Sequence, residues 1–286
     1  LPAPSETFHA RKSKILSALS VPEEEYTDFS PKGSVDVGIR DLIDEINTRE
    51  GLVTTSSCAG RVSVYLEGPS KATATTTPTT VTSTTEEDGS ENVRSSSAGG
   101  KGGGEWLFVS HDPISSLPSQ QGQRGGYESL FGLQPSQVEQ EEEEGEEQEG
   151  RMIHFKFEPM ILHILTASHS HAQRVIQAGM EAGFRETGAL SLLSRHDNND
   201  NDHNPIVAVR SMGLSFESLI GIEDYHRVRK AVVSSGYLNR VVGNSEKLFK
   251  ENEKRIARFR DALRTVFEEG TKKKEGWEDA EARRER

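Results

Sequence analysis

The sequence contains a single cysteine, Cys58, among its 286 residues. One cysteine excludes an internal disulfide framework and a cysteine-rich zinc site. The chain also lacks an apolar run approaching the roughly eighteen residues of a transmembrane helix, and its first residues do not form the hydrophobic segment of a signal peptide. We therefore expect a cytoplasmic protein that has no membrane partner.

Two stretches have few large apolar side chains. Residues 69–103 are largely Thr, Ser and Gly, and residues 113–150 are rich in Gln, Gly and Glu. Neither stretch can bury enough apolar surface to offset the conformational entropy lost on ordering. The sequence therefore predicts one domain over 1–268, interrupted by disordered insertions at 69–103 and 113–150 and followed by a charged tail at 269–286.

The formal net charge of −12 does not by itself exclude a nucleic-acid ligand. Eight of the acidic residues lie in one run at 139–149, and such runs are usually solvated linkers. Without these eight residues the charge is −4, so the rest of the chain is compatible with a nucleic-acid ligand. Local basic patches, and not the net charge, determine whether such a ligand can bind.

Hydrophobic periodicity predicts an α+β fold, with a mixed β-sheet flanked by helices. The predicted helices cover 8–19, 35–46, 168–183, 222–242 and 245–268. The predicted strands cover 52–56 and 62–66 with a turn between them, 104–111, 152–158 and 160–165 with a break at Pro159, and two or three segments within 184–193 and 206–216.

The segment T-T-S-S-C-A-G-R at 54–61 is the first candidate site. Its small residues allow a backbone to approach a ligand closely, its hydroxyls can donate, and Arg61 offers a planar fork for phosphate or carboxylate. An ordinary tight turn remains the alternative. No local pattern assigns a partner histidine to Cys58, so a small buried thiol is expected there rather than a nucleophile.

Other charged residues stand at predicted strand ends. His111 and Asp112 end a strand and can accept or orient a proton, although a capping pair on a core strand is the alternative. Lys156 and Glu158 share one strand face and are close enough to pair with each other. The motifs G-F-R-E-T-G and V-A-V-R-S add three more: Arg185, Glu186 and Arg210.

The histidines and the cations of the last helix are weaker indications of a site than the motifs above. His169 and His171 do not face each other on a helix, and no cysteine or paired carboxylate stands near them at ligand spacing, so we expect no metal. The last helix carries cations that can hold an RNA backbone, or that simply line a solvated face: Lys250, Lys254, Arg255 and Arg258.

The order of the motifs is more specific than any one of them. The motifs are KGSVDVGIRDLIDEIN, TTSSCAGRVSVYLEG, GGEWLFVSHD, FKFEPMILHI, EAGFRETG, IVAVRS and ENEKRIARF. In this order they resemble the tRNA wybutosine-synthesizing protein 3 family, over about residues 8–68, 104–112 and 151–260.

The resemblance implies a methyltransferase that uses S-adenosylmethionine. The implied acceptor is ring nitrogen N4 of 7-(3-amino-3-carboxypropyl)-4-demethylwyosine at position 37 of tRNA(Phe), and other enzymes of wybutosine biosynthesis are possible partners. The implied fold is a compact, non-Rossmann α+β domain, which agrees with the lack of a G-x-G-x-x-G motif between a strand and a helix.

On this resemblance we assign hypothetical roles. The catalytic candidates are His111 and Asp112 as proton acceptors, with Ser57. The candidates for binding substrate or cofactor are Ser56, Cys58, Gly60, Arg61, Lys156, Glu158, Arg185, Glu186 and Arg210. Two alternatives stay open: a non-catalytic tRNA-binding module, and a scaffold that recruits a basic partner through the acidic run.

Overall fold

The computed structural model describes residues 1–20, 36–68, 103–116, 126–135, 150–190 and 204–268. Its helices are α1 (Glu6–Leu19), α2 (Arg40–Thr48), α3 (Tyr127–Leu130), α4 (His169–Ala182) and α5 (Ser235–Glu268). Its strands are β1 (Leu52–Leu66), β2 (Glu105–Ser110), β3 (Arg151–Thr166), β4 (Gly188–Ala189), β5 (Ile206–Val209), β6 (Phe216–Glu223) and β7 (Arg229–Ala231). Within these ranges, none of the helices combines the length and apolarity needed to cross a membrane.

The strands hydrogen-bond in the order β2-β1-β3-β5-β4, with β6 paired to β3 and β7 to β6. The pairs β1–β2, β3–β5, β3–β6, β4–β5 and β6–β7 are antiparallel. An isolated parallel bridge joins Gln134 and Lys230. A largely antiparallel sheet together with helices confirms the predicted α+β class.

The chain forms two compact units. The first comprises Leu1–Gly60, Pro159–Leu214 and Phe249–Arg286, and the second comprises Arg61–Glu158 and Ser215–Leu248. The core of the first unit joins apolar faces of α2, α4 and α5 to the end of β3 and to β5. The core of the second is rich in aromatic rings, among them Phe131 and Phe155. The predicted single domain over 1–268 stays a prediction.

Local sequence signals explain several elements. Ser5 caps α1 because its side chain accepts a hydrogen bond from the Phe8 amide. Ser168 caps α4 in the same way, and α4 ends at Gly183, whose φ of 94° is a left-handed conformation that favours glycine. Apolar and polar residues alternate along β3, so that Phe155 is fully buried while Lys156 beside it is half-buried.

The predicted turn between 52–56 and 62–66 is wrong, because β1 is one strand of 15 residues. The small residues that suggested a turn lie within the strand. Gly60 has a φ of 123°, and a glycine is needed there because L side chains rarely adopt that conformation.

The predicted break at Pro159 is also wrong, because β3 runs through it. The register with β6 ends at Phe157, and the register with β5 begins at Leu162. Pro159 therefore lies where β3 changes partner, and its missing N–H costs the sheet no hydrogen bond of either register.

The predicted helices at 222–242 and 245–268 require correction. Residues 229–231 form β7, and one continuous helix, α5, covers 235–268. The buried carboxylate of Glu223 explains the strand at the start, since Arg151 and Arg229 both pair with it, at 3.1 and 2.9 Å. Arg151, 72 positions away in the chain, and the nearby Arg229 hold the segment in the sheet.

Within the predicted insertion at 113–150, the structure describes residues 113–116 and 126–135, and both segments contribute buried side chains. Ile114 is fully buried, and Phe131 is 1 % exposed. The Phe131 ring lies 5.5 Å from the ring of Phe108 and 5.9 Å from that of Phe155. The average composition of the stretch concealed this short apolar segment. Residues 69–102, 117–125, 136–149 and 269–286 lie outside the described residues.

Candidate functional site

In the first unit, side chains from distant segments anchor residues 54–60 of the predicted site segment. The amide of Ala59 donates to Asp36 Oδ2 at 2.7 Å, and its carbonyl accepts from Asn252 Nδ2 at 2.7 Å. Asn252 Oδ1 also accepts from the Met160 amide at 2.9 Å. Both anchoring side chains are almost fully buried, so the backbone of the segment is held in one conformation.

A serine–histidine pair lies on this segment. Ser56 Oγ is 2.8 Å from His163 Nδ1, and Thr55 Oγ1 donates to the His163 carbonyl at 3.3 Å. Partial burial, and then the nearby charge of Arg210, lower the pKa of His163. An imidazole whose pKa lies below its usual value is neutral near pH 7 and can accept a proton.

Sequence reasoning missed His163 and its pairing with Ser56. The signal available was its place on β3, between the fully buried Leu162 and Ile164, since alternation puts a residue so placed on the opposite face of the strand. The partner Ser56 was predicted as a binding residue, but its hydrogen bond to His163 is visible only in the structure.

The other predicted residues of the segment have clear positions. Ser57 and Cys58 are half-buried, and Gly60 is buried. A carboxylate oxygen of Asp36 lies within 4.8 Å of Cys58 Sγ. The binding and catalytic roles of these residues stay predictions.

Two predicted charged residues of the first unit meet at its surface. Arg210 Nε donates to the Glu186 carbonyl at 3.3 Å, and the Met212 amide donates to Glu186 Oε2 at 2.9 Å. Arg185 is the neighbour of Glu186 in the chain, and all three predicted residues are exposed. The structure therefore brings charges of both signs together at exposed positions.

The predicted RNA-backbone residues on α5 fall into two groups. Arg255 Nη1 donates to the Gly183 carbonyl at 3.2 Å, and Arg258 Nε donates to the preceding carbonyl at 3.4 Å, so both arginines serve the C-terminal end of α4. Lys250 and Lys254 are exposed. Contact with tRNA stays a prediction for all four.

In the second unit, Arg61 lies between an aromatic ring and a carboxylate. Its Nε donates to Glu158 Oε2 at 2.6 Å, and its guanidinium carbon is 5.0 Å from the centroid of the Trp106 ring. The side chain is 23 % exposed, so a charge-assisted hydrogen bond and a cation–π contact fix it at a partly open surface.

Lys156 likewise contacts both a carboxylate and an aromatic ring. Its Nζ is 3.0 Å from Glu217 Oε1 and 5.7 Å from the centroid of the Tyr65 ring. The expected pairing of Lys156 with Glu158 is wrong, because each has a partner on another strand. We name these six side chains the aromatic platform: Arg61, Tyr65, Trp106, Lys156, Glu158 and Glu217.

The predicted proton acceptors follow the end of β2. Ser110 Oγ donates to the Asp112 carbonyl at 2.6 Å and accepts from the Asp112 amide at 3.2 Å. This turn leaves Asp112 exposed and His111 half-buried. Their catalytic role stays a prediction.

Comparison with known proteins gives a consistent result. Residues 10–265 match the family described as Methyltransferase TYW3. The tRNA wybutosine-synthesizing protein 3 of Schizosaccharomyces pombe is 32 % identical over 269 residues, which is 93 % of this chain and 90 % of that protein. Its namesake in Saccharomyces cerevisiae is 29 % identical and matches 91 % of this chain and 82 % of that protein.

A solved structure shares the fold. The PH1069 protein of Pyrococcus horikoshii aligns with a TM-score of 0.57 at 20 % identity, over 90 % of this chain and 96 % of that one. These matches confirm the resemblance that the order of the motifs indicated.

Proposed function

This chain belongs to the Methyltransferase TYW3 family and is a tRNA methyltransferase of wybutosine synthesis, and from that premise we propose its complete reaction. A methyl group passes from S-adenosylmethionine to ring nitrogen N4 of 7-(3-amino-3-carboxypropyl)-4-demethylwyosine at position 37 of tRNA(Phe). Family membership favours this enzyme over the non-catalytic tRNA-binding module.

The protein has two tasks in such a transfer. It must hold N4 in line with the methyl group, since positioning supplies much of the rate, and it must provide an acceptor for the proton that N4 loses. S-adenosylmethionine, when bound, supplies an electrophilic methyl group on a sulfonium. The side chains of the chain itself must therefore supply orientation and a base.

The observation that carries the proposal is the hydrogen bond between Ser56 and His163. A neutral imidazole held by a hydroxyl on one nitrogen can take a proton on the other. The proton of N4 passes to His163, which becomes an imidazolium and returns the proton to solvent. His111 and Asp112, the acceptors predicted from the sequence, remain candidates for the same task.

The first unit also fits the methyl donor. The amino-acid end of S-adenosylmethionine has a carboxylate, which suits the guanidinium of Arg210 or Arg185, and an ammonium, which suits Glu186. These residues are exposed. The anchored segment at 57–60 adds a hydroxyl, a thiol and a glycine that permits close backbone approach.

We assign tRNA(Phe) as the substrate, with the exposed Lys250 and Lys254 contacting its phosphates. Enzymes that build the tricyclic base before methylation are the expected partners, because they must supply this substrate. The cytoplasmic location stays a prediction.

The reaction is tested by methyl incorporation from labelled S-adenosylmethionine. The substrate is tRNA(Phe) carrying the demethylated tricyclic base, and the control is tRNA(Phe) with guanosine at position 37. We expect transfer to the first and none to the second. Transfer to neither by a folded protein that still binds tRNA would overturn the proposal.

The role of His163 is tested with a matched pair of variants. His163→Gln should lower kcat by roughly 10²–10⁴-fold, the usual contribution of a general base, whereas His9→Gln, at a half-exposed site of the same unit, should not. The wild-type kcat/KM should decline as pH falls through the lowered pKa of His163, and the variant should lack that decline. Equal rates for the two variants would remove His163 from the reaction.

A further inference from the structure

The aromatic platform lies on the solvent side of its strands. Tyr65 on β1 is paired in register with Trp106 on β2, and their ring centroids are 4.8 Å apart. Val64 and Leu66, on either side of Tyr65, are fully buried, while both rings of the pair are only half-buried. Because side chains alternate along a strand, the two rings stand on the face opposite the apolar core.

The Tyr65 ring is held in place before any ligand arrives. A Cβ added at Gly104 would lie 1.8 Å from the Tyr65 hydroxyl oxygen and 2.2 Å from the adjacent ring carbon. Glycine at 104 therefore gives the ring its room against the backbone. A ring fixed in this way loses little conformational entropy when a second ring stacks on it.

The charges of the platform balance. Arg61 is paired with Glu158 and Lys156 with Glu217, so the platform offers no net attraction to phosphate. Its carboxylates can instead accept hydrogen bonds from the N–H groups of a nucleobase, and its rings and guanidinium plane can stack on a base. This combination fits the bases of an RNA and not its backbone.

We propose that the aromatic platform binds unpaired RNA bases, which stack on Tyr65 and Trp106. The carboxylates of Glu158 and Glu217 accept hydrogen bonds from the base edges. This inference rests on the chain acting on tRNA, as its family does, and it assigns unpaired nucleotides of that RNA to the platform.

Trp106 can report the binding directly. The chain has two tryptophans, Trp106 and Trp277, so Trp277→Phe in the full chain leaves Trp106 as the sole indole. The probe is a single-stranded oligomer of seven adenosines, and the control is an oligomer of the same length and charge whose internal bases are removed. We expect the first to quench the fluorescence of Trp106 and the second not to do so.

The salt dependence of the binding affinity distinguishes base stacking from phosphate contacts. Each phosphate neutralised on a single strand contributes about −0.7 to the slope of log affinity against log salt. Platform binding should show a slope no steeper than that of one phosphate. Equal quenching by both oligomers, or a slope equivalent to several phosphates, would overturn the proposal.

Two substitutions at one position test the ring itself. Tyr65→Leu keeps apolar volume and removes the ring, and it should weaken binding by about 5- to 150-fold, the range for loss of one stacked base. Tyr65→Phe keeps the ring and should bind nearly as the parent does. Arg227→Ala, which removes an exposed cation of the same unit, is the charge control and should change nothing.

The result is independent of the methylation assay, because no methyl donor is present. Undiminished binding by a Tyr65→Leu protein with a native circular dichroism spectrum would refute the platform. Intact quenching in a protein without methyl transfer would count against the proposed reaction and leave the platform standing.

Discussion

Removing the charge of Glu45 should destabilise the protein in a pH-dependent way. Glu45 lies on α2 and accepts two hydrogen bonds from Arg264, at 2.7 and 2.6 Å, and one from Arg260 at 2.7 Å. These bonds, with that from Arg264 first, lower the pKa of Glu45 to about 2. The substitution Glu45→Gln keeps the volume of the side chain and removes its charge.

The magnitude follows from linkage. A pKa that falls from 4.5 to about 2 on folding corresponds to at most about 3.4 kcal/mol, at about 1.36 kcal/mol per unit. Arg260 and Arg264 are 36 % and 44 % exposed, and solvent screens such pairs. We therefore expect Glu45→Gln to lower the free energy of unfolding by about 1–2 kcal/mol at pH 7.

The pH dependence has a definite sign. A carboxyl whose folded pKa is depressed stabilises the fold above its unfolded pKa and loses that effect as pH falls through the folded value. The difference between wild type and Glu45→Gln should thus be constant above about pH 5 and shrink from there towards pH 2. Urea denaturation at a series of pH values measures it. A difference that stays the same at pH 3 and pH 7 would show that packing, and not ionisation, is responsible.

Three further substitutions, one with a matched control, test the packing, the anchor and the backbone conformation. Phe131→Ala should cost about 3–5 kcal/mol in urea denaturation because the ring is fully buried, and a loss under about 1 kcal/mol would contradict the folded state of 126–135. Asn252→Ala should lower the melting temperature, at about 1–3 kcal/mol for the buried Met160 amide and less for the part-buried Ala59 carbonyl, both of which lose this partner; an unchanged melting temperature would show that the anchor is dispensable. Gly183→Ala should cost about 1–2 kcal/mol by calorimetry because its φ is 94°. Gly188→Ala, where a Cβ meets nothing within 4 Å, should be close to neutral, and equal losses for the two glycines would refute the argument from backbone conformation.

Local patterns predicted the elements whose cause is local. The cap at Ser168 and the glycine at 183 mark both ends of α4 in the sequence, and alternation identified the buried face of β3. The order of the motifs identified the family. These signals act over a few residues, or depend on order alone, and they do not require knowledge of which segments meet.

The wrong predictions occur where the structure depends on contacts between segments that are distant in the chain. Pro159 breaks an isolated strand pattern, but it is tolerated because β3 changes partner there. The strand that ends at Glu223 depends in part on Arg151, which is 72 positions away in the chain, and no local pattern shows that contact. His163 was missed as a candidate proton acceptor for the same reason, since its partner Ser56 is 107 positions away.

The anchor of the site segment also has a consequence for how the protein is made. The carbonyl of Ala59 accepts its hydrogen bond from Asn252, which follows 193 positions later in the chain. At synthesis rates of about 5–20 residues per second, the anchor emerges roughly 10–40 s after the segment that it holds. During that interval the nascent chain already contains Asp36, which accepts from the Ala59 amide, but it lacks the second anchor, Asn252. The anchored conformation of the segment is therefore acquired late, once Asn252 in α5 has been synthesised, and a chain terminated before that residue would retain the motif without this hydrogen bond.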